Sequence, residues 1–177
     1  MSENWGVVEA LRHARHDWMN DLQLIKGNLD LDRVERAKQV IEEMVLVAQN
    51  ESKLSNLRLP LLTEWILTYN WSRHLIKLDF EVLQAESSHG LDDRRLFNWC
   101  KEFLEFLESN VMNNVENQLS ILLDITKEHS RLIFDFTGIL KSTSIVEEWL
   151  KNQQSNGENI EIEQLQEEIL VIHAVVE

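Results

Sequence analysis

The sequence predicts an α+β protein in which an N-terminal hairpin of two helices precedes a layer of strands and helices. Three observations support this fold class. Residues 11–29 carry an apolar heptad repeat, the pattern changes after the single proline, Pro60, and alternating apolar runs appear only beyond it. We therefore predict a helical hairpin over residues 1–60 and an α+β domain over residues 61–177.

The first predicted helix runs from near Trp5 to Gly27 or Asn28, two residues that commonly end helices. At about 100° per residue, His16 lies about 160° from Trp18 on the helix and is expected to face water. Its neighbours on that face are polar, and such a strip suits the docking of another protein. The heptad positions are Leu11, Arg15, Trp18, Leu22, Ile25 and Leu29, and the polar face consists of Glu9, Arg12, His13, Asn20 and Gln23.

A second helix is predicted between residue 32 and Pro60, with Asp32 as its N-cap. The short connection makes the two helices antiparallel. The apolar or small residues of this second helix recur at helical spacing at Val34, Ala37, Ile41, Met44, Val45, Ala48 and Ser52.

The elements expected after Pro60 alternate between helices and strands, which is typical of an α+β layer. In chain order we predict a helix over residues 61–75, a strand over 77–83, a loop over 87–90, a helix from Asp92 to about Val115, strands over 118–126 and 131–136 joined by a turn over 127–130, a helix capped by Ser142 or Thr143 that ends before Asn152, and a strand over 169–176.

The formal charge of −14 is uneven along the chain. Residues 1–59 carry eight Lys and Arg against ten Asp and Glu, whereas the rest carries nine against twenty-one. So acidic a surface repels phosphate backbones and anionic lipids, which argues against nucleic acid and membrane partners. The only cysteine, Cys100, excludes an internal disulfide, and no apolar run approaches about 20 residues. We expect a soluble, cytoplasmic protein.

Several motifs resemble those of the sporulation initiation phosphotransferases of bacilli, the intermediate histidine carriers of the sporulation phosphorelay. These motifs are HisAspTrpMetAsn at 16–20, LeuGlnLeuIleLysGlyAsnLeu at 22–29, GluGluMetVal at 42–45, GluSerLysLeuSerAsnLeu at 51–57 and TyrAsnTrp at 69–71. The first motif also resembles the phosphoacceptor helix of citrate- and malate-type sensor kinases. The resemblance covers residues 11–59 and thins beyond about residue 83, and it implies that His16 is the phosphorylated histidine.

The resemblance further implies a homodimer, whose two hairpins form a four-helix bundle, and a C-terminal layer that is a reduced version of the ATP-binding domain of histidine kinases. A two-helix hairpin cannot cover the apolar stripes of both helices by itself, which favours pairing with a second copy. The alternative is that the hairpin packs against the C-terminal domain of the same chain.

An ATP site of the kinase type needs paired glycines, so that the backbone approaches the triphosphate closely. The chain has five glycines, and none are spaced as GlyXGly. The nearest match to an adenine-contacting acidic motif is AspPheThrGly at residues 135–138, which lacks the second glycine of that motif. Residues 110–115 resemble a metal-binding asparagine motif, but they are better explained as polar residues at a helix end. We predict that the chain binds no ATP and does not phosphorylate itself.

Neutral imidazole is a competent phosphoryl acceptor at cytoplasmic pH. The resemblance implies that response-regulator receiver domains donate a phosphoryl group to His16 and accept it from His16. In this reading Arg12 and Arg15 contact phosphate, Asp17 orients the ring, and Asn20 bonds to the ring or the partner. Arg15 is as well explained by an interhelical ion pair. The partner-binding candidates are Glu9, Arg12, His13 and Gln23.

No cofactor is expected on this chain, because its carboxylates, His and Cys lack metal-ligand spacing. A Mg²⁺ ion is expected on the partner receiver domain. Without its flanking motif, His16 would be an ordinary solvated histidine, and His13 is the weaker candidate for the same reaction. No role is predicted for His74, His89, His129 and His173.

Two other functions fit the same sequence. One is a non-catalytic dimeric module that binds and inhibits a receiver domain or a sensor kinase, with His16 only a contact. The other is an ATP-dependent histidine kinase core without a sensor, which the missing GlyXGly argues against. Transfer of label from a phosphorylated receiver, and labelling by ATP alone, separate the three functions.

Overall fold

The computed structural model describes residues 6–85, 90–126 and 129–176. It divides into two compact units, Met1–Glu51 and Ser52–Glu177, and the division falls within the second helix. The helices are α1 (Val7–Asp30), α2 (Val34–Ser55), α3 (Pro60–Thr68), followed by a 3₁₀ turn (Tyr69–Trp71), α4 (Asp93–Asn110) and α5 (Thr143–Ser155). The strands are β1 (Ile76–Ala85), β2 (Asn117–Ile125), β3 (Ser130–Thr137), β4 (Asn159–Leu165) and β5 (Ile169–Val175). The predicted α+β class is confirmed.

The turn between α1 and α2 differs from the sequence prediction. Neither Gly27 nor Asn28 ends α1, which continues beyond both. Asp32 adopts a left-handed conformation with φ of 55°. The amide of Asp32 donates to the carbonyl oxygen of Leu29 (3.0 Å), and that of Arg33 donates to Asn28 (2.8 Å). This hydrogen-bond pattern is the Schellman motif that closes a helix, so the prediction that Asp32 caps α2 is wrong and its backbone terminates α1.

Each helix of the hairpin has one covered stripe and one exposed apolar stripe. Of the heptad positions of α1, only Ile25 lies in the covered stripe. On α1 the partly or fully buried residues are Ala10, His13, Ala14, Asp21, Ile25 and Asn28, whereas Leu11, Trp18, Leu22 and Leu29 are 49 to 65% exposed. On α2 the covered residues are Ala37, Val40 and Met44, whereas Val34, Ile41 and Val45 are 46 to 49% exposed.

The second unit is built on a five-stranded mixed sheet with the strand order β1-β2-β3-β5-β4. Strands β1 and β2 are parallel, with Leu78 opposite Leu119, and α4 connects them. The other three pairs are antiparallel, which suits their short connections. Strand β5 lies between β3 and β4, so the last strand in sequence is inside the sheet and not at its edge.

The core of the second unit lies between α3, α4 and α5 and one face of this sheet. Buried positions alternate along β2, β3 and β5, so that one set of side chains faces the helices. Aromatic rings fill the centre: Phe103 packs edge-on against Phe134 and stacks on Trp99. The last turn of α2 contributes Leu54, which is fully buried in the same core.

Side chains occupy backbone groups on both edge strands. On β1, Asn70 donates to the carbonyl oxygen of Leu78 (2.6 Å) and accepts from its amide (3.0 Å). Lys53 donates to the carbonyl oxygen of Val82 (3.2 Å). On β4, Gln154 donates to the carbonyl oxygen of Ile160 (2.6 Å). These contacts reduce the free hydrogen-bonding groups along the sheet edges.

Several predicted elements differ from the structure at their ends, and one strand was missed. The predicted helix over 61–75 ends at Thr68, α4 ends at Asn110 instead of Val115, and α5 continues to Ser155. Strand β4 was not predicted at all. The predicted loop over 87–90 and turn over 127–130 lie largely outside the described residues. Ser142 caps α5 through its hydroxyl, which accepts from the amide of Ile145 (3.4 Å).

Candidate functional site

His16 lies in the middle of α1, on the face that points away from both apolar stripes of that helix. Its side chain is 72% exposed. The angular position follows from the helical period: the heptad repeat occupies one side, and His16 is about 160° from its Trp18. The site is therefore an imidazole standing on an exposed, rigid helix surface.

Two neighbours contact the same nitrogen of this ring. The Nδ1 atom of His16 lies 3.2 Å from Oδ1 of Asp17 and 3.3 Å from Nδ2 of Asn20. Nδ1 is a donor in one neutral tautomer and an acceptor in the other, so it satisfies only one neighbour at a time. The carboxylate charge of Asp17 favours a proton on Nδ1. The lone pair then resides on Nε2, the ring nitrogen that these two hydrogen bonds do not use.

Glu51 of α2 adds a second carboxyl group to the surroundings of Asp17. Partial burial raises the pKa of Glu51, and the negative charge of Asp17 raises it further. Sequence reasoning missed Glu51. The signal available was the antiparallel hairpin itself, which brings the region of residue 17 on α1 opposite the end of α2.

The remaining predicted site residues lie around His16 with different exposures. Glu9, Arg12 and Gln23 are exposed on the same helix, whereas His13 is partly buried. The guanidinium of Arg15 donates through Nε to the carbonyl oxygen of Leu11 (3.1 Å). Within the described chain no carboxylate forms an ion pair with Arg15, so its cation faces solvent.

The segments that were compared with a nucleotide site, residues 110–115 and 135–138, are held by internal contacts. Asn117 is buried, and its Nδ2 donates to the carbonyl oxygens of Met112 (2.8 Å) and Leu75 (3.3 Å). Its Oδ1 accepts from the amide of Ile139 (3.2 Å). A Cβ atom added to Gly138 would overlap the side chain of Asn117. Sequence reasoning missed Asn117, whose only sequence signal is an amide at the start of a strand.

Three of the other histidines lie beside carboxylates in the second unit. Their pairs are His74 with Glu108 (3.3 Å), His129 with Asp124 (3.2 Å) and His173 with Glu163 (2.6 Å). His89 lies outside the described residues. Across residues 6–85, 90–126 and 129–176, no group of three or more His, Cys, Asp or Glu is arranged to hold a metal ion.

Glu108 also connects α4 to the start of β1. Its carboxylate accepts hydrogen bonds from the hydroxyl of Tyr69 (3.1 Å) and the amide of Leu75 (2.8 Å). His74 stacks on Tyr69 with a ring separation of 3.8 Å. Burial is the main cause that raises the pKa of Tyr69, and the charge of Glu108 adds to it.

Comparison with known proteins assigns the chain to a class. Residues 2–57 match the model described as Sensor kinase SpoOB-type, alpha-helical domain. The hairpin with its exposed histidine therefore belongs to a helical domain of the sensor-kinase type. None of the described helices is long and apolar enough to span a bilayer.

The second unit narrows this class to one family. Residues 58–176 match the model described as Sporulation initiation phospho-transferase B, C-terminal. The chain is 35% identical over 167 residues to Sporulation initiation phosphotransferase B of Bacillus subtilis (strain 168), covering 93% of this chain and 87% of that protein. The chain belongs to the sporulation initiation phosphotransferase B family.

Solved structures also have similarity to this chain. A bacterial phosphotransferase is 14% identical, with a TM-score of 0.38 and coverage of 97% of this chain and 98% of that one. The histidine kinase AdeS of Acinetobacter baumannii is 11% identical, with a TM-score of 0.41 and coverage of 91% and 96%. The family assignment rests on the sequence comparisons.

Proposed function

We propose that this protein is a phosphorelay histidine phosphotransferase of sporulation initiation. It accepts a phosphoryl group on His16 from the aspartyl phosphate of one response-regulator receiver domain and passes it to the aspartate of a second. ATP takes no part. The observation that carries this proposal is the solvent-facing imidazole of His16, which has Asp17 and Asn20 at Nδ1 in a chain of this family.

The transfer is a displacement at phosphorus. The lone pair on Nε2 of His16 attacks the phosphorus, the P–N bond forms, and the P–O bond to the partner's aspartate breaks with its electron pair leaving on the carboxylate. The proton stays on Nδ1, where Asp17 stabilises the positive charge of the phosphorylated ring. Because the acyl phosphate and the phosphoramidate are both energy-rich, the same step runs in reverse to the second receiver.

The surrounding side chains supply placement and charge, which dominate phosphoryl transfer. Arg12 and Arg15 are exposed cations that precede His16 on the helix, by four residues and by one residue. They neutralise negative charge on the incoming phosphoryl oxygens. Mg²⁺ in the acidic pocket of the receiver supplies the rest. Glu9, His13, Gln23 and Asn20 contact the docked receiver domain.

We also propose that the protein acts as a homodimer in which two hairpins form a four-helix bundle. The exposed stripes support this, because their large apolar side chains are 46 to 65% exposed: Leu11, Trp18, Leu22 and Leu29 on α1, and Val34, Ile41 and Val45 on α2. Burial of such side chains against a second copy gains about 1.5–3 kcal/mol for each one fully covered. The His16 face stays outside the bundle.

The test uses a purified receiver domain that carries a radiolabelled phosphoryl group on its aspartate. The full chain should become labelled, the label should be acid-labile and alkali-stable as a phosphohistidine is, and a second receiver should remove it. His16→Ala should abolish labelling. The control variant is His129→Ala, which removes the same type of residue from the surface of the second unit and should keep the transfer.

Two outcomes would favour the other functions. Binding of the receiver without any transfer of label would replace the phosphotransferase by an inhibitory binding module. Labelling from ATP alone, in the absence of a receiver, would indicate a histidine kinase core. Label that persists in His16→Ala would assign the acceptor to another residue.

A further inference from the structure

The sheet of the second unit has two faces, and α3, α4 and α5 pack on one of them. Along β2, β3 and β5 the side chains between the buried ones point to the opposite side, which we call the outer face. Its side chains are partly or fully exposed, so within the described part of the chain no helix of the second unit covers this face.

The middle of the outer face is apolar. Leu122 on β2 lies directly opposite Ile133 on β3. Ile133 lies opposite His173 on β5, so Val171 and Val175 occupy the two diagonal positions next to it. We call Leu122, Ile133, Val171 and Val175 the apolar centre, and all four are partly exposed. A sheet face that meets only water usually carries polar side chains. An apolar centre therefore indicates a face that another surface covers.

Carboxylates surround the apolar centre. Glu81 is paired with Leu122 across β1 and β2, Asp135 lies opposite Val171, and Glu161 lies opposite His173. In full, the acidic residues of the outer face are Asp79, Glu81, Asp124, Asp135, Glu161 and Glu163, and its cations are Lys77 and Arg131. Two of the carboxylates have histidine partners, at 3.2 Å for Asp124 and 2.6 Å for Glu163. The outer face as a whole is negatively charged.

Charge argues against two possible occupants of this face. A second copy of the second unit would place carboxylates against carboxylates, because residues 60–177 carry nine Lys and Arg against twenty-one Asp and Glu. Like charges brought together across an interface are unfavourable. Residues 1–59, with eight Lys and Arg against ten Asp and Glu, have no excess of positive charge to offer. The complementary surface is a basic one.

We propose that the outer face binds a basic amphipathic helix of a partner protein. The apolar stripe of the helix lies on the apolar centre, and its Lys and Arg side chains approach the surrounding carboxylates. Dimensions support this fit: strands are about 4.8 Å apart, so the apolar centre spans about 10 Å across β2, β3 and β5. An α-helix with its side chains is about 10 Å in diameter. A helix on the outer face would complete the second helical layer of a sheet covered on both sides.

This inference goes beyond the phosphoryl transfer proposed for His16. The outer face belongs to the second unit, whereas His16 is on α1. Binding at the outer face involves no phosphoryl group, so it is measured without a receiver domain. The two proposals therefore fail or succeed separately.

The first measurement asks whether the outer face is open in the free protein. The full chain is labelled at its Ile, Leu and Val methyl groups, and a soluble gadolinium chelate is added in an NMR experiment. The methyl signals of Ile133 should broaden strongly, whereas those of Ile121, 1% exposed in the core, should not. Shielding of Ile133 at every protein concentration would mean that a segment of the same chain covers the face. Shielding that grows with concentration would mean that a second copy does. Either result would overturn the proposal.

The binding probe is a synthetic amphipathic helix of Leu and Lys, about 14 residues long and fluorescently labelled. Anisotropy titration with the full chain gives its Kd. The peptide should bind, and added salt should weaken it because exposed charges are screened. A peptide of the same pattern with Glu in place of Lys should not bind. Absence of binding by the Lys peptide, or equal binding of both peptides, would contradict the proposal.

Charge variants locate the binding site. Asp135→Asn combined with Glu161→Gln removes two exposed carboxylates from the outer face and should raise the Kd of the Lys peptide about fivefold. The matched control is Glu102→Gln combined with Glu148→Gln, which removes the same charge from exposed positions of α4 and α5. The control should change the Kd little. An equal rise in both double variants would show a general attraction to an acidic protein, and the proposal would be wrong.

An apolar variant tests the centre itself. Ile133→Thr keeps a residue type that favours strands and should raise the Kd at least about threefold, because apolar contact with the helix is lost. Ile145→Thr makes the same change at a position of α5 that is 49% exposed and should leave the Kd unchanged. Leu122→Thr replaces Ile133→Thr if the latter does not fold, as judged by circular dichroism. A Kd that neither outer-face variant alters would overturn the proposal.

Discussion

Asn117 occupies the space that a side chain at Gly138 would need, and its amide ties together the start of β1, the loop after α4 and the residue after Gly138. Two residues that are 21 positions apart in the sequence thus depend on each other: the glycine leaves room, and the asparagine fills it. The connection between β3 and α5 is fixed by this pair.

The Asn117 amide should contribute measurably to stability. Asn117→Ala removes hydrogen bonds to buried backbone groups and leaves them without partners, so we expect a loss of about 1–3 kcal/mol in the free energy of unfolding. Urea denaturation followed by circular dichroism measures it. The control is Asn113→Ala at an exposed position, and an equal loss in both variants would contradict the proposed role.

Gly138→Ala should destabilise the protein for a different reason. The added methyl group overlaps the Asn117 amide and the ring of Phe136, and overpacking of this kind costs about 1–3 kcal/mol. In the double variant with Asn117→Ala, part of that cost should disappear because the overlapping amide is gone. Strictly additive losses in a double-mutant cycle by urea denaturation would show that the two residues do not interact.

Tyr69 is the single tyrosine, so its titration can be read directly from absorbance near 295 nm. Burial first, and then the charge of Glu108, raise the pKa of Tyr69 above its ordinary value of 10. A raised pKa favours the folded state below pH 10 and opposes it as the pH rises further. We expect no tyrosinate signal until the protein unfolds in alkali. A signal with its midpoint near pH 10 in the folded protein would contradict this.

Glu51 should weaken the hairpin at neutral pH. Its pKa is raised by burial and by Asp17, so the folded state binds a proton more readily than the unfolded state. The favourable contribution is present below about pH 4.5 and is lost as the pH rises through the raised pKa. Glu51→Gln should stabilise the protein at pH 7 by well under about 1 kcal/mol, since solvent screens the site.

The pH dependence distinguishes this charge effect from a gain in stability that has another cause. The stabilisation by Glu51→Gln should vanish in thermal melts at pH 4, where the glutamate itself is protonated. Glu42→Gln, at an exposed position of the same helix, is the matched control and should change stability little at either pH. A gain in stability that stays constant from pH 4 to pH 7 would indicate a packing effect instead of a charge effect.

The exposed stripe of α1 should control the oligomeric state. Trp18→Glu or Leu22→Glu places a charge within the proposed bundle, where it cannot be solvated, so we expect a shift from dimer to monomer. Light scattering after size-exclusion chromatography measures the mass. Leu46→Glu, at a position that is also 65% exposed but lies on another side of α2, should leave the mass unchanged. A monomeric parent protein would contradict the dimer.

The regular parts of the fold follow from periodicity, and the exceptions have physical causes. Strong 3.6-residue patterns placed α1, α2 and α4, and alternation placed β2, β3 and β5. Strand β4 escaped because only Ile160 and Ile162 alternate in it before polar residues and an irregularity at residues 162–164 interrupt the pattern. Asp32 was misjudged because a capping carboxylate and a left-handed helix end have the same sequence signature.

The position of His16 was predictable, whereas its surroundings were only partly so. Asp17 and Asn20 are neighbours within one helix, so a helical wheel places them at the ring. Glu51 comes from another helix, and its effect on Asp17 depends on the register of the hairpin. Asn117 depends on four chain segments meeting in space, which no local pattern encodes. The roles assigned to Asp17 and Asn20 in transfer remain predictions for the labelling experiment.

The occupied backbone groups of the outer strands have a consequence for the behaviour of the protein in concentrated solution. Asn70 and Lys53 engage β1, and Gln154 engages β4, so a foreign strand would have to displace these side chains before pairing. Self-association should therefore proceed through the helical hairpin and not by polymerisation through the sheet, and assemblies formed on concentration should stay discrete and reversible.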